Sequence, residues 1–183
     1  MANLGALLTS DRPDWCTPSD VLQLLHAGWP EGVALDPCSN PASIVHAELA
    51  WTEADNALGR DWFASAPGRL VYVNPPYGRA LAAWAKELER QEALRQGRLP
   101  TPAGNLTYGN KAMVALVPAR TDTLWFRDAV RLAHAVIFLK GRLRFLGADA
   151  GAPFPSALIY YGGQTKAYRD FTGACLRAGA WIP

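Results

Sequence analysis

An asparagine, two prolines and a tyrosine follow an apolar run in the stretch VYVNPPYG, residues 71–78. Pro75 and Pro76 fix their own backbone angles, donate no hydrogen bond and disfavour helix in the residue before them, so a strand must end here in a stiff corner. The side-chain carbonyl of Asn74 and the main-chain carbonyl of Pro75 are then two neighbouring hydrogen-bond acceptors. Two acceptors suit an NH₂ group, and the Tyr77 ring offers a flat face for stacking. The corner therefore predicts a site for an exocyclic amine on a planar ring.

A proline-fixed turn with a surface tyrosine is the alternative explanation of the same residues, and the tetrapeptide alone supports both about equally. A proline-rich ligand for an adaptor domain is disfavoured, because the motif ends a buried apolar strand and is not free to bind as an extended segment. The context along the chain must decide between a turn and a site.

Composition predicts one soluble domain. The chain has 183 residues, half of them apolar, and a formal net charge of +2, which is enough for one hydrophobic core and gives no strong overall case for nucleic acid. We expect a single domain over residues 1–183, with no signal peptide and no membrane-spanning run. The three cysteines and three histidines are scattered without a CxxC pair, so no metal site is predicted.

Apolar periodicity predicts strands that alternate with helices. Helices are expected over 19–28, 79–96, 122–133 and 165–179, and strands over 33–37, 69–75, 112–118, 134–145 and 156–162. Thr17 is a candidate cap of the first helix with Pro18 at its first position, and Asp122 is a candidate cap of the third. Residues 44–52 fit either a helix with a short strand or an irregular crossing. The last two strands are the expected antiparallel pair.

This alternation is typical of an α/β fold with a mostly parallel sheet and helices on both faces. Ligands of such sheets bind beyond the carboxyl ends of the strands. Asp36 and Asn74 each end a predicted strand, and residues 118–122 follow a third. We therefore expect these residues to line the same edge of the sheet.

Beyond the corner, the chain resembles the small phage DNA N-6-adenine-methyltransferases. The residues NPPY match the Asn/Asp-Pro-Pro-Tyr motif of amino-methyltransferases that use S-adenosylmethionine. Further segments follow in an order similar to that family, and they are DWCTP (14–18), LDPCSNP (35–41), DNAL…DW (55–62), TDTLWF (121–126), FLKGRLRF (138–145) and SALIYYG (156–162). The usual glycine-rich turn after the first strand is missing, since PCSNP follows Asp36.

The resemblance implies a Rossmann-like class I methyltransferase domain that transfers a methyl group from S-adenosylmethionine to the N6 amine of adenine in DNA. The base would be flipped out or single-stranded, and the protein would act in the cytoplasm of a bacterial host. The implied catalytic residues, which would hold the adenine, are Asn74, Pro75, Pro76 and Tyr77. The implied cofactor-binding residues are Trp15, Thr17, Pro18, Asp36, Pro37 and Asp55. The basic residues expected to contact DNA phosphates are Arg79, Arg120, Lys140, Arg142 and Arg144.

Simpler explanations stand beside several of these roles. Helix capping accounts for Thr17 and Pro18, an Asx-turn accounts for Asp55, and a solvated strand face accounts for the alternating basic residues of KGRLRF, which would share one side of a strand. Other functions that fit the corner are N4-cytosine methylation, methylation of RNA or of a protein amide, and nucleic-acid binding without transfer. No obligate protein partner is evident. With no separate target-recognition domain, loops 97–110 and 147–155 are expected to supply a short or relaxed specificity.

Overall fold

A computed structural model of the protein describes residues 15–101, 104 and 107–183. The strands are β1 Leu35–Asp36, β2 Leu49–Ala50, β3 Leu70–Val73, β4 Ala112–Pro118, β5 Ala135–Phe138 and β6 Ser156–Tyr161. The helices are α1 Ser19–Gly28, α2 Trp62–Ser65, α3 Leu81–Arg95, α4 Leu124–Val130 and α5 Lys166–Arg177, with one 3₁₀ turn at Glu53–Asp55. The main predicted helices and strands are confirmed, while their ends differ in several places.

The six strands form one mixed sheet in the order β2-β1-β3-β4-β6-β5. Strands β1 to β4 pair in parallel, whereas β6 runs antiparallel to both of its neighbours, β4 and β5. The predicted antiparallel pair is thus confirmed, and its second strand also lies against the centre of the sheet. Because β1, β3 and β4 run the same way, the residues that follow them meet at one edge, as expected. We call this the carboxyl edge.

Strand side chains alternate between two apolar layers, one on each side of the sheet. Leu70 and Tyr72 of β3 join the layer formed with α1 and α5, which we call the α1/α5 face. Val71 and Val73 join the opposite layer, formed with α2, α3 and α4. Helices on both faces of a mostly parallel sheet are the predicted architecture, and the two-residue period decides which side chains can share a site.

The predicted helix caps are wrong in two places. Pro18 occupies the N-cap of α1 and no side chain caps that helix, since the Thr17 hydroxyl is bonded elsewhere. Helix α4 begins after Thr123, whose hydroxyl accepts a hydrogen bond from the Phe126 N–H, so Asp122 is not its cap. Two adjacent residues with oxygen-bearing side chains make such a cap ambiguous in sequence.

The predicted strand 134–145 ends at Phe138, because its partner β6 begins only at Ser156 and leaves nothing further to pair with. Prolines at 153 and 155 lack the N–H groups that a longer β6 would need. Gly141 takes a left-handed φ of +72° where the chain turns out of the sheet. The three alternating basic residues of this segment therefore lie in a loop and not on a strand face, which corrects the prediction.

The part of the sheet before β3 is short. Strands β1 and β2 have two residues each, and the longest helix between them and β3 is the four-residue α2. Residues 44–48 cross without regular structure before β2, so the helix of the first alternative for 44–52 is absent, while its short strand is present as the two-residue β2. Only about 30 residues join Asp36 to β3, too few for a second long βα unit.

The described residues of loop 97–110 lie at the opposite end of the sheet from the corner, which does not fit the role predicted for the loop. Helix α3 starts beside the carboxyl edge and runs for 15 residues, roughly 22 Å, before this loop begins. The Tyr108 N–H donates to the Arg95 carbonyl at 3.0 Å, and the chain then enters the start of β4. The described residues of the loop are thus at the amino edge of the sheet, where they cannot reach Asn74.

Replacing Gly28 with alanine tests the packing of α1 against α5. A Cβ atom there would lie 2.7 Å from the Ala167 carbonyl oxygen and 2.8 Å from the Phe171 Cβ, so the helices must separate. We expect the free energy of unfolding to fall by about 1–3 kcal/mol, measured by urea denaturation. Gly173→Ala is the control, because its Cβ would meet only the end of the Arg177 side chain at 3.3 Å and alanine favours helix by about 1 kcal/mol. Equal effects of both changes would contradict the packing explanation.

Candidate active site

The Asn74 side chain lies just beyond β3 on the α1/α5 face. Its Nδ2 group donates to the main-chain carbonyl of Trp15 and, at 3.2 Å, to the Thr17 hydroxyl. That hydroxyl is also 3.0 Å from the phenol oxygen of Tyr72. The segment before α1 is thereby joined to the end of β3, and both hydrogens of the Asn74 amide are accounted for.

The other end of the amide is an acceptor without a donor. Asn74 Oδ1 is buried, and no described residue forms a hydrogen bond with it. Two further buried side-chain atoms share this condition within the described residues, the Tyr77 hydroxyl and the Ser156 hydroxyl. Ser156 pairs with Pro118 at the end of β4, so all three orphan groups lie at the carboxyl edge. Buried polar atoms without partners are rare and indicate a binding site.

The Pro75 carbonyl is a second acceptor in the same place, for a reason found in the sheet register. The Ala112 N–H donates to the Arg69 carbonyl at 2.8 Å, and β4 advances in step with β3 from there. Every second residue of β4 donates its N–H to β3 in this register, so the main-chain nitrogen of residue 118 would face the carbonyl of residue 75. Position 118 is a proline, which has no N–H to donate. The ladder therefore ends with the Pro75 carbonyl unpaired.

Pro75 also anchors the corner. Its ring is buried and lines an apolar crevice with Trp84, Val117 and Trp125 on the opposite side of the sheet from Asn74. Pro76 is half-buried. The Pro75 ring is thus packed against α3 and α4. The side chain of the preceding residue, Asn74, lies on the opposite side of the sheet, the α1/α5 face.

Tyr77 is covered by other aromatic rings and is only 7% exposed. Its ring stacks against Trp15 with centroids 6.5 Å apart and meets the edges of Phe145 and Phe154 at 5.9 and 5.5 Å. This excludes the surface tyrosine of the turn explanation. We call these four residues the aromatic cluster. Its phenylalanines belong to the chain between β5 and β6, which places segment 147–155 beside the corner as predicted.

Asp36 ends β1 with its carboxylate 4% exposed. It accepts a hydrogen bond from the Cys38 N–H at 3.1 Å, but burial dominates and raises the pKa of Asp36 to about 6. The Cys38 thiol interacts with both the Asp36 side chain and the Asn74 main chain, and burial followed by the Asp36 charge raises the pKa of that thiol. Cys38 therefore links the ends of β1 and β3, and Pro37 is buried beside them.

Asp55 lies apart from this cluster. Its carboxylate accepts hydrogen bonds from the Thr52 N–H at 2.8 Å and the Thr52 hydroxyl at 3.0 Å, closing a capping box on the 3₁₀ turn after β2. Those two hydrogen bonds lower the pKa of Asp55. The turn follows a parallel strand and so lies at the carboxyl edge, while the capping role alone accounts for the residue. Its assignment to the cofactor stays a prediction.

The five predicted DNA contacts are solvent-accessible. Arg79, Lys140, Arg142 and Arg144 are exposed and Arg120 is half-buried; none of them forms a salt bridge within the described residues. Arg144 donates to the carbonyls of residues 148 and 149, which ties it to the adjoining loop. All five follow the carboxyl ends of strands, so their charge lies on the same side of the molecule as the corner.

Within the described part of the chain, no helix is long and apolar enough to span a bilayer. No group of three or more His, Cys, Asp or Glu side chains in that part is arranged to hold a metal ion.

Comparison with known proteins agrees with this geometry. The family model described as DNA N-6-adenine-methyltransferase (Dam) matches residues 5–157, most of the 183-residue chain. The chain belongs to this Dam family. It is also similar to the DNA N-6-adenine-methyltransferase of Escherichia phage T1, at 24% identity over 155 residues that cover 76% of this chain. The chain covers only 56% of that relative's length. The α/β sheet of this chain thus belongs to the expected Rossmann-like methyltransferase fold.

Some site residues of this Dam family member were missed by the sequence analysis. Tyr72 stands two positions before Asn74, and the strand period alone would have put both on one face. Cys38 belongs to no CxxC pair, so the cysteine spacing gives no reason to place it at the site. Phe145 and Phe154 gave no signal, because only the tertiary fold brings the segment between β5 and β6 over the corner.

Asp36→Asn tests the buried carboxylate. The folded-state pKa of about 6 exceeds the ordinary value of 3.8, so the stabilising contribution of Asp36 is complete below about pH 4 and is lost as the pH rises through 6. That gap corresponds to about 3 kcal/mol. We expect the asparagine variant to exceed the wild type in free energy of unfolding at pH 8 by up to that amount, at pH 5 by about half of it, and below pH 4 by little. Urea titrations at these pH values measure it, and a pH-independent difference would refute it.

Proposed function

We propose that this Dam family member transfers a methyl group from S-adenosylmethionine to the N6 amine of adenine in DNA. The observation that carries the proposal is the buried Asn74 Oδ1, which has no partner among the described residues, next to the Pro75 carbonyl, which the sheet register leaves without an N–H from Pro118. The printed name of the phage T1 relative describes the same activity in that protein. A turn with no ligand would have no reason to bury an acceptor at an energetic cost of about 1–3 kcal/mol.

The two acceptors fit the electronic problem of the reaction. The lone pair of the adenine amine is delocalised into its ring, which makes the nitrogen a weak nucleophile. Asn74 Oδ1 and the Pro75 carbonyl each take one N–H, favour a tetrahedral nitrogen and stabilise the positive charge that develops on it. As the new N–C bond forms, the bond between the methyl carbon and the sulfur breaks, and its electron pair stays on the sulfur as a neutral thioether. The nitrogen then carries one proton too many, and water takes this proton. No general base is required from the chain.

The residues present fit the methyl donor. When bound, S-adenosylmethionine supplies a methyl group on a positively charged sulfur. Asp36 offers a buried carboxylate one strand away from Asn74, suited to a cationic group, and the half-buried Trp15 adjoins the same corner. We assign Asp36 and Pro37 to the cofactor side and Asn74 to the base side. Holding the two substrates in line supplies most of the rate gain.

The base must leave a DNA duplex or come from a single strand, because its amine is paired inside the helix. The exposed basic residues of the carboxyl edge then bind phosphates and position the strand. Tyr77 is available for stacking only after a ring of the aromatic cluster moves aside. We place short or relaxed sequence recognition in segment 147–155, the predicted loop that adjoins the corner, and treat residues 1–183 as one catalytic domain.

The direct test incubates the protein with S-adenosylmethionine and unmethylated DNA, followed by digestion and mass spectrometry of the nucleosides. We expect N6-methyladenine from the wild type and at least about 100-fold less from Asn74→Ala, the usual size of loss when a group that stabilises transition-state charge is removed. Asn110→Ala is the matched control, because Asn110 is exposed in a turn at the amino edge. N4-methylcytosine instead would keep the mechanism and change the base; unmethylated DNA despite cofactor binding would overturn the proposal.

DNA contact at the carboxyl edge is tested by Arg142→Gln. Loss of one phosphate contact should weaken DNA binding at all sequences and reduce the slope of log affinity against log salt by about 1. Fluorescence anisotropy of a labelled oligonucleotide at several salt concentrations measures both effects. Arg98→Gln serves as the control, since Arg98 is equally exposed but follows α3 at the amino edge. Equal losses from both variants would point to overall charge and not to a DNA-binding face.

A further inference from the structure

Tyr72 and Thr17 form a short chain of hydrogen bonds that ends on the Asn74 amide. The Tyr72 phenol oxygen and the Thr17 hydroxyl are 3.0 Å apart, and the Asn74 Nδ2 group donates to that hydroxyl at 3.2 Å. Tyr72 is fully buried and Thr17 is 2% exposed. These contacts lie on the α1/α5 face of the sheet, where the unpartnered Asn74 Oδ1 also lies.

The surroundings of the amide dictate which way round it sits. The Trp15 main-chain carbonyl, to which Nδ2 donates, can only accept a hydrogen bond. A flipped amide would point Oδ1 at this carbonyl, oxygen against oxygen. The observed orientation is therefore the one that chemistry permits, and it directs Oδ1 into the site.

The Trp15 carbonyl alone would fix one hydrogen and leave the amide plane free to tilt about it. The Thr17 hydroxyl supplies a second fixed contact for the amide. This hydroxyl must turn a lone pair toward Asn74, and the contact with Tyr72 restricts that rotation, whichever of the two hydroxyls donates. Two fixed contacts on a planar amide define both its direction and its plane.

We propose that Thr17 and Tyr72 are positioning residues for methyl transfer, which hold the Asn74 amide so that Oδ1 meets the target amine. The inference rests on the proposed function and deepens it. It moves Thr17 from the cofactor side, where the family resemblance put it, to the base side. It also gives a role to Tyr72, which no motif marked.

Thr17→Val removes the hydroxyl and keeps the shape of the side chain. We expect kcat to fall about tenfold, the equivalent of one ordinary hydrogen bond, with an unchanged dissociation constant for S-adenosylmethionine measured by calorimetry. Thr17→Ser, which retains the hydroxyl, should restore kcat to within about threefold of the wild type. A weakened cofactor affinity with unchanged kcat would return Thr17 to the cofactor side and overturn the proposal.

Tyr72→Phe removes one oxygen from the far end of the chain. We expect a smaller fall in kcat than for Thr17→Val. The double variant should lose no more than Thr17→Val alone, because both substitutions break the same path to Asn74. Additive losses would mean that Tyr72 acts through the packing of the sheet and would refute its positioning role.

A readout that needs no turnover separates this inference from the proposed function. In protein labelled with ¹⁵N-asparagine, the Asn74 side-chain NH₂ signals are identified by their absence from Asn74→Ala. We expect their hydrogen exchange to quicken by about tenfold or more in Thr17→Val and to remain slow in Thr17→Ser. If the wild type methylates no DNA but shows this pattern, the proposed function fails and the orientation of the amide stands. If exchange is fast in the wild type, the positioning proposal fails regardless of activity.

The variant Asn74→Asp tests the orientation of the side chain at position 74 independently. A carboxylate would place an ionised oxygen against the Trp15 carbonyl, so only the protonated acid can keep the native orientation. We expect the residual activity of this variant to rise as the pH falls from 8 to 6, relative to the wild type under the same conditions. A residual activity that follows the wild-type pH profile would contradict the proposed orientation.

Discussion

The corner depends on the inability of proline to donate a hydrogen bond. Parallel strands continue for as long as each N–H finds a carbonyl; β3 and β4 pair as far as Val73 and Ala115, and the same register would next bring Pro118 opposite the Pro75 carbonyl. Two prolines at that point end the pairing from both sides. The Pro75 carbonyl that is left over adjoins the Asn74 side chain, whose Oδ1 is a second acceptor without a partner among the described residues. The site therefore forms at the point where the hydrogen bonding between β3 and β4 ends.

The residues around Asn74 Oδ1 and the Pro75 carbonyl bury these two acceptors and fix their positions. The Pro75 ring is fixed in the α3/α4 layer, the Asn74 amide is held from the segment before α1, and the aromatic cluster closes over the top. Acceptors in such surroundings are worth more to a developing positive charge than they would be in water, because they need not reorganise. Cys38 joins this arrangement to Asp36, because its thiol interacts with both the Asp36 side chain and the Asn74 main chain.

The sequence was most informative where local chemistry decides the structure. The run AMVALVP predicted the bounds of β4, and the NPPY residues predicted both a strand end and a pair of acceptors, because proline acts on its own neighbours. The predictions were wrong where a residue or strand far along the chain determines the local structure. Strand β5 stops at Phe138 since β6 has nothing left to pair with it, and Thr17 is not a cap because Tyr72 and Asn74, far along the chain, take its hydroxyl. Loop 97–110 was placed at the site by its length, whereas the 15-residue α3 carries it to the opposite edge.

The position of β6 has a consequence for how the molecule is made. This strand comes late in the chain, yet it lies between β4 and β5 and pairs with both. During synthesis β4 therefore emerges as an open edge, with a row of unpaired groups that stays available until residues 156–161 arrive. The centre of the sheet is complete only when this strand inserts between β4 and β5, which precede it in the chain. Until that insertion, the open edge of β4 is a template on which a strand of a second chain can pair.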